Sequence, residues 1–442
     1  MTARALGRPF LTVWAGQSLS AIGSVVSGVG VAIFVFVETG DASWLGVLAA
    51  LAAVPYVLAA PLLPLTDRVP RRTMMIAADT FAVVGPATAL VLAHTGDLEI
   101  WHLAVAAFLG GLGTAFQFPA SQAAVPALVD GDVLDRANGL NQLGPAVGVV
   151  IGPVLATPMV AWWGIEAVLI FDVATFVVAV VATMMVPFDD VADDTSIDDD
   201  GTWRSLRAWL AGDGRPFVTL LAVMAVVNFL LAFFNVSFIV IVTELGGVAR
   251  AGVALGAAGA AMIVGSLVSA TRGAGADRIG TFARGLTLAG AGFVVASVFE
   301  SFPVVIVGVV IALGTVPAVN AAVSTVYHER VPPSMYGRMF GLRTSLGRAL
   351  EPVGALSAGF LIAGVVEPAM AVDGRLAPTM GVVFGTGDGR GAALVLAAVG
   401  ATLAVAGIWL GASRLRQEFL APVTSGDADA NTAATPSRVP SA

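Results

Sequence analysis

Long apolar runs recur along this chain from residue 10 to residue 412. A helix of about 20 apolar residues is long enough to cross the hydrocarbon core of a bilayer. Overall, 57% of the residues are hydrophobic and only 12% are charged, and the mean hydropathy is +0.90. A soluble protein of this length carries charge on about a quarter of its residues. The sequence therefore predicts a helical protein that crosses a membrane many times.

The apolar runs divide into twelve predicted membrane spans. Their bounds are 10–37, 43–65, 73–94, 101–128, 138–161, 164–187, 217–243, 251–272, 282–300, 302–328, 336–366 and 389–412. The opening residues lead directly into the first span without the small-residue cleavage site of a secretory leader. We therefore expect the first span to be retained as a helix.

Arginine placement supports this count, because all 22 basic residues are arginine. If both termini lie in the cytoplasm, most arginines fall on the cytoplasmic side. The opposite loops then hold only Arg250, Arg375 and Arg390. Cytoplasmic loops of membrane proteins are enriched in positive charge, so the sequence predicts twelve spans with both termini cytoplasmic.

Paired motifs indicate that a six-span unit occurs twice in the same orientation. DRVPRR (67–72) follows span 2 and DRIGTF (277–282) follows span 8, whereas DRANGL (135–140) opens span 5 and GRMFGL (337–342) opens span 11. Parallel repeats of this kind are typical of transporters whose substrate cavity lies between the two halves.

The predicted domain organisation follows from this repeat. We expect an N-terminal six-helix half over 1–188, an acidic cytoplasmic linker over 189–216, a C-terminal half over 217–412 and a disordered cytoplasmic tail over 413–442. Within the linker, TWRSLRAWLAG places Trp203, Leu206 and Leu210 on one helical face. This pattern predicts a short helix on the inner membrane surface, although a structureless tether remains an alternative.

Several chemistries are excluded by the residue inventory. The chain has no cysteine and only three histidines, which do not occur at metal-ligand spacing. Because lysine is absent, no Walker-type nucleotide loop can form. No cluster with the spacing of a catalytic triad appears. We therefore predict no enzyme activity, no cofactor, no metal site and no nucleic-acid partner.

The chain resembles the major facilitator superfamily, and most closely its bacterial exporters that include macrolide-efflux and enterobactin-export proteins. The resemblance is carried by WAGQSLSAIGS (14–24), FLGGLGTAFQFPASQAAVPALV (108–129), LDRANGLNQ (134–142), YGRMFGLRTSLGRALEPVGALSAGFL (336–361), EPAM (367–370) and GTGDGRG (385–391). It implies an all-α integral membrane fold, with twelve transmembrane helices in two pseudo-symmetric six-helix halves. It also implies a monomer in the inner (plasma) membrane of a bacterium.

The loop after span 2, LPLTDRVPRR (63–72), resembles the superfamily's signature G-x-L-a-D-R-x-G-R-K. Asp67, Arg68, Arg71 and Arg72 match, and both glycines of the signature are missing. The resemblance implies a cytoplasmic latch between the halves, which the repeat extends to Asp277 and Arg278. The alternative is a solvated turn that only sets topology.

Glycine recurs at every fourth residue of span 5, at Gly144, Gly148 and Gly152, followed by Pro153. Such a row lets two membrane helices approach closely, and proline bends a helix. The row resembles the antiporter signature of the superfamily, which implies export and a position between the halves. Ordinary tight helix packing is the alternative interpretation.

Charged residues inside a span need a reason, because each costs at least ~2.5–3.5 kcal/mol at mid-depth. Span 11 carries Arg343, Arg348 and Glu351, and the last two are spaced to pair on one helix face. Glu351 either binds a proton or cationic substrate, with Arg348 tuning its pKa, or forms a fixed ion pair.

Three further polar residues are candidates. Asp172 in span 6 and Asp79 in span 3 either titrate or form structural hydrogen bonds, and Asn228 in span 7 either lines a cavity or bonds a neighbouring helix. Many proton-coupled relatives carry an arginine in span 4, which is absent here.

The sequence thus predicts a secondary-active exporter of amphiphilic small molecules that exchanges substrate for protons. Its predicted partners are the lipid bilayer, a lipophilic substrate and protons. A dedicated exporter of one siderophore or metabolite, and an uptake permease, remain alternatives.

Overall fold

The computed structural model describes residues 6–59, 69–129, 134–187, 199–272, 277–332 and 335–420. These ranges are almost entirely helical, and no strand occurs within them. The helices are α1 (Arg8–Thr39), α2 (Ala42–Ala59), α3 (Arg71–Thr95), α4 (Ile100–Leu128), α5 (Leu134–Met185), α6 (Asp199–Ala211), α7 (Arg215–Glu244), α8 (Gly247–Arg272), α9 (Arg278–Val298), α10 (Phe302–Gly314), α11 (Val316–Arg330), α12 (Tyr336–Arg348), α13 (Glu351–Leu361), α14 (Glu367–Met370), α15 (Gly381–Phe384), α16 (Arg390–Ala412) and α17 (Arg414–Leu420). A π-helix over Ile362–Val366 joins α13 to α14.

Eleven described segments are long and apolar enough to cross a membrane. One of them, Val147–Met185, contains Gly164 at φ 73°, a conformation that interrupts a helix. Gly164 therefore divides α5 into a first arm (134–163) and a second arm (165–185).

The packing of α1 shows that the chain reverses at Gly164. The first arm runs parallel to α1 and the second arm runs antiparallel to it. The contacts that establish this are Gly144 with Ser18, Gly152 with Val25, Gly30 with Val168 and Gly16 with Ala182. The two arms are separate crossings, which raises eleven segments to twelve and confirms the predicted all-α fold with twelve transmembrane helices.

We call the membrane face at which α1 begins the proximal face, and the opposite one the distal face. Helices α1 to α5 form the N-terminal half, and α7 to α16 form the C-terminal half. The larger apolar core lies mainly in α6 to α17 and also includes Phe36, Ala42 and Leu45 of α1 and α2, whereas a second core lies within α1 to α5. In the C-terminal half, Phe293 is fully buried and stacks on Phe234, with ring centroids 4.5 Å apart.

Two predicted spans are divided instead of continuous. Span 10 breaks at Thr315 between α10 and α11, and span 11 breaks between α12 and α13. A proline lies just beyond each break, at Pro317 and Pro352. Because proline lacks an N–H, it leaves the carbonyl four residues earlier without its helical partner. For Pro352, that carbonyl belongs to Arg348.

Two short helices pack against the C-terminal half at the proximal face. Leu206 of α6 is buried, and Trp209 contacts Phe217 of α7 at 5.4 Å between ring centroids. Phe419 of α17 contacts the same ring at 5.2 Å. The linker helix and the C-terminal helix therefore share one aromatic cluster on this half.

Candidate functional site

A cavity of about 680 Å³ lies between the two halves. Its walls come from α1 to α5 on one side and from α7, α8, α10, α12 and α13 on the other. Most of the lining is aliphatic, aromatic or glycine. The polar side chains of the lining are Ser24, Ser27, Tyr56, Thr114, Asp172, Asn235, Arg348 and Glu351. Such a cavity suits an apolar ligand that makes a few oriented polar contacts.

Arg348 and Glu351 form an ion pair on the wall from the C-terminal half. The Arg348 Nε lies 2.9 Å from the Glu351 Oε2, and both side chains remain partly exposed to the cavity. The Arg348 guanidinium also lies 5.0 Å from the ring centroid of Tyr56, which belongs to α2 in the N-terminal half. Arg348 therefore neutralises the charge of Glu351, and its cation–π contact with Tyr56 joins the two halves.

Asp172 lies on the opposite wall in a different setting. It is 4% exposed, and its Oδ1 is buried without a hydrogen-bond partner in the described part of the chain. The neighbouring polar side chain on α1 is Ser27, whose hydroxyl lies beside the carboxyl. The two acids of the cavity therefore differ, since one has a cationic partner and the other faces a neutral hydroxyl.

A first seam between the halves lies near the distal face, between α8 and the first arm of α5. Here α8 presents Gly252, Gly256 and Gly259 to the other half. Their neighbours across the seam are Thr157, Val154 and Val150. A Cβ added to Gly252 would lie 2.6 Å from the Cβ of Thr157, so only glycine permits this approach.

A second seam, also near the distal face, joins α2 to α13. A Cβ at Gly46 would lie 3.0 Å from the Cα of Gly359, and it would also meet the Ala355 carbonyl oxygen. At the two seams, α8 lies close to α5 and α2 lies close to α13. They separate the cavity from the distal face.

The glycine row that the sequence singled out faces a different neighbour. Gly144, Gly148 and Gly152 pack against α1 of their own half. A Cβ at Gly152 would lie 3.0 Å from the Cβ of Val25. Pro153, the next residue, lines the cavity. The row thus allows close packing within the N-terminal half, while the adjoining face of the same arm forms the first seam. Its link to export stays a prediction.

Asp79 lies outside the cavity lining, in a polar cluster inside the N-terminal half. It is 2% exposed and accepts a hydrogen bond of 2.8 Å from the Gln17 Nε2. Gln17 also bonds Thr183 of α5 and Gln117 of α4. The cluster therefore links α1, α3, α4 and α5.

Asn228 and Arg343 also contact helices of the C-terminal half. The Asn228 Nδ2 donates to the Gly347 carbonyl on α12 at 2.9 Å, and Asn228 is not among the lining residues. Arg343 lies 5.4 Å from the ring centroid of Tyr327. Of the two predicted roles of Asn228, the structure shows the hydrogen bond to a neighbouring helix.

Two of the predicted latch residues, Arg72 and Arg278, contact residues of their own halves. Arg72 donates to the Met184 carbonyl at 2.7 Å, at the end of α5. Arg278 pairs with Glu329 at 2.9 Å. Arg71 begins α3, whereas Asp67 and Arg68 lie outside the described residues. A latch between the halves therefore stays a prediction for another conformation.

Asp277 caps α9 and holds the C-terminal helix α17. Its Oδ1 accepts from the Gly280 N–H at 2.7 Å, and its Oδ2 accepts from the Arg416 Nη2 at 2.7 Å. Partial burial raises the pKa of Asp277, but the hydrogen bonds from Arg416 and Gly280 and the charges of Arg416 and Arg284 outweigh it. The pKa is therefore held below its usual value.

Sequence reasoning missed Tyr56, Asn235 and the glycines of α8. Tyr56 and Asn235 look like ordinary residues of apolar spans, because nothing in their spacing shows which helix face meets the cavity. Gly252, Gly256 and Gly259 form a small-residue row that was readable in the sequence.

Comparison with known proteins identifies the family of the chain. Residues 13–355 match the family model described as Major Facilitator Superfamily. Macrolide efflux protein A of Streptococcus pyogenes is 25% identical over 357 residues, covering 78% of this chain and 87% of the relative. Macrolide efflux protein A of Enterococcus faecalis is 24% identical over 311 residues, covering 68% and 95%.

Solved transporters share the fold at low sequence identity. The nucleoside transporter NupG superposes with a TM-score of 0.66 at 12% identity, covering 91% of this chain and 99% of that one. A bacterial homologue of the human lysosomal transporter Spinster, inward-facing and unoccupied, gives 0.67 at 16% identity, with coverages of 93% and 97%. The POT family transporter PepTSo gives a TM-score of 0.68 at 11% identity, covering 94% of this chain and 99% of that one.

Proposed function

The chain belongs to the major facilitator superfamily, and we propose that it exports amphiphilic small molecules by alternating access, driven by proton exchange. It is a multi-pass membrane transporter and not an enzyme. The observation that carries the proposal is the cavity of about 680 Å³ between the halves, apolar over most of its lining and closed towards the distal face.

Export, as opposed to uptake, is supported by the macrolide efflux proteins that align over most of this chain. The arginine distribution supports a cytoplasmic proximal face. With that orientation, the seams near the distal face give an inward-facing transporter whose cavity loads from the cytoplasm or the inner leaflet. Rocking the halves about the cavity would open the seams and release the cargo outside.

Proton exchange supplies enough driving force for such an exporter. For a neutral cargo exchanged against one proton, a membrane potential of 100 mV is worth about 2.3 kcal/mol, which sustains a gradient of roughly 50-fold. Exchange of one proton for a monovalent cation moves no net charge, so the pH difference across the membrane drives it instead. Carboxyl groups that line the cavity are the candidate proton carriers, and these are Asp172 and Glu351.

The test measures accumulation of neutral and cationic lipophilic dyes and antibiotics in a bacterium that lacks its own pumps. Cells expressing the wild type should accumulate less of at least one compound than cells with empty vector. A protonophore should abolish the difference. Lower accumulation in the empty-vector cells would indicate uptake. No difference for any compound would contradict export of amphiphiles and favour one dedicated metabolite.

A matched pair of glycine variants ties efflux to the cavity. Gly110 lines the cavity, and a Cβ there has no atom within 4 Å, so Gly110→Trp should fill the space without displacing a helix. Gly364 is equally open but lies outside the lining. We expect Gly110→Trp to abolish efflux at normal expression, and Gly364→Trp to retain it.

A further inference from the structure

Three charged side chains line the cavity within the described residues, and they are unequally neutralised. Arg348 and Glu351 form an ion pair at 2.9 Å. Asp172 has no cationic partner among the described side chains. The Asp172 carboxyl must therefore either hold a proton or, when it is ionised, have its charge compensated by a positively charged ligand from outside the protein.

The neighbouring helices α1, α3 and α4 offer the Asp172 carboxylate no cationic side chain as a partner. On α1, Ser27 faces the carboxyl, and no charged residue occurs in that helix between Arg8 and Glu38. Helix α4 has no charged residue beyond His102 near its distal end. On α3, Asp79 already accepts from Gln17. The Gln17 cluster meets α5 at Thr183, about 16 Å along the helix from Asp172.

The remaining groups lie on the other walls of the cavity. Tyr56 of α2 is covered by the Arg348 guanidinium, which is itself paired with Glu351. The first arm of α5 contributes Val149 and Pro153 to the lining, and neither carries charge. The unpartnered Oδ1 of Asp172 is therefore the one buried acceptor of the described lining that a cationic ligand could satisfy.

We propose that Asp172 is the site where a proton and a lipophilic monovalent organic cation exclude one another, so that the cargo of this transporter is an organic cation. This inference rests on the proposed exporter function and names its substrate class and coupling residue. When the cation enters, the Asp172 carboxyl releases its proton to solvent and its carboxylate compensates the ligand's charge. When a proton returns, the cation loses its counter-charge and leaves. Glu351 keeps its internal partner throughout.

The test uses tetraphenylphosphonium, a permanent lipophilic cation that carries no proton of its own. Its affinity for the detergent-purified full chain is measured from pH 5 to pH 9, with proton release followed by a dye in weak buffer. In the wild type, affinity should rise about tenfold per pH unit in the range where the site is protonated, as one-proton competition requires. Each bound cation should displace up to one proton in that range.

Three variants and one control assign this behaviour to a residue. Asp172→Asn should bind at least tenfold more weakly at high pH, without pH dependence or proton release. Asp172→Glu should restore both, which distinguishes a charge requirement from misfolding. Glu351→Gln should retain the pH dependence and the proton release. Asp79→Asn, at a buried acid outside the lining, controls for general disturbance of the half.

The proposal is overturned if wild-type binding does not depend on pH, if the wild type does not bind the cation, or if Glu351→Gln removes the proton release while Asp172→Asn retains it. Cellular efflux of the dye panel is read separately. If efflux is present and Asp172→Asn behaves as the wild type, this inference fails while the exporter function stands. If efflux is absent for every compound, the exporter function itself fails.

Discussion

At the scale of single residues, two asparagines of α7 have different contacts although their positions in the sequence look alike. Asn228 and Asn235 are seven residues apart, so an ideal helix places them on nearly the same face. Asn228 bonds the Gly347 carbonyl of α12, whereas Asn235 lines the cavity. Their different roles depend on the neighbouring helices at each depth, which spacing alone does not reveal.

This difference gives a prediction for alanine variants. Asn228→Ala removes an inter-helix hydrogen bond and should lower the free energy of unfolding by about 0.6–2 kcal/mol, with cargo affinity unchanged. Asn235→Ala should leave stability nearly unchanged and alter the affinity for cargo instead. Thermal denaturation in detergent and ligand titration measure the two effects. Equal effects of both variants on cargo affinity would contradict the assignment.

At the scale of helices, small residues have two distinct uses. The row of Gly144, Gly148 and Gly152 packs α5 on α1 within one half, whereas Gly252 and its α8 neighbours form the seam between the halves. The first contact should persist as the transporter rocks, and the second must open. The sequence analysis singled out the first row by its four-residue spacing and its resemblance to the antiporter signature, and it overlooked the second row.

We therefore predict different consequences for two glycine substitutions. Gly252→Ala introduces a methyl group against Thr157 and should shift the transporter towards the state open at the distal face by about 1–3 kcal/mol. Gly152→Ala meets Val25 and should instead lower overall stability by a similar amount. Gly364→Ala, with open space around it, should do neither.

The conformational shift can be read with a single engineered cysteine, because the chain has none of its own. Leu45→Cys lies in the cavity lining near the distal end of α2 and is buried. In intact cells, an impermeant maleimide should label it faster in the Gly252→Ala background than in the wild type. The same increase in the Gly152→Ala background would contradict the distinction between the two rows.

The docking of α17 gives a pH-dependent prediction. Hydrogen bonds and charges from Arg416 hold the pKa of Asp277 below its usual value. A carboxyl with a depressed pKa in the folded state stabilises that state at pH values above its unfolded pKa of about 4, and this contribution is lost as pH falls through the folded pKa. We expect α17 to stay docked at neutral pH and to detach below about pH 4.

A spin label at Leu420→Cys, an exposed position at the end of α17, reports this transition. Its mobility should be low and constant from pH 8 to pH 5 and should rise in stronger acid. Adding Asp277→Asn should make the label mobile at every pH. A label that is equally restricted in that double variant would show that the Phe419 contact alone secures the helix.

At the scale of the whole molecule, the sequence predicted the crossings well because apolar length is a one-dimensional property. The reversal at Gly164 matches the boundary between spans 5 and 6. The i, i+3 spacing also anticipated that Arg348 and Glu351 pair. The difference between Asp172 and Glu351 was not predictable, because it depends on which side chains from other helices reach each carboxyl.

The most direct test of the account is transport into inverted membrane vesicles, whose lumen corresponds to the outside of the cell. A lipophilic cationic dye is supplied outside the vesicles, and an acid lumen is imposed without ATP. We predict that dye accumulates in the lumen of wild-type vesicles, that a protonophore dissipates the accumulation, and that Asp172→Asn vesicles do not accumulate it. Accumulation that ignores the proton gradient, or none at all in the wild type, would contradict proton-driven export.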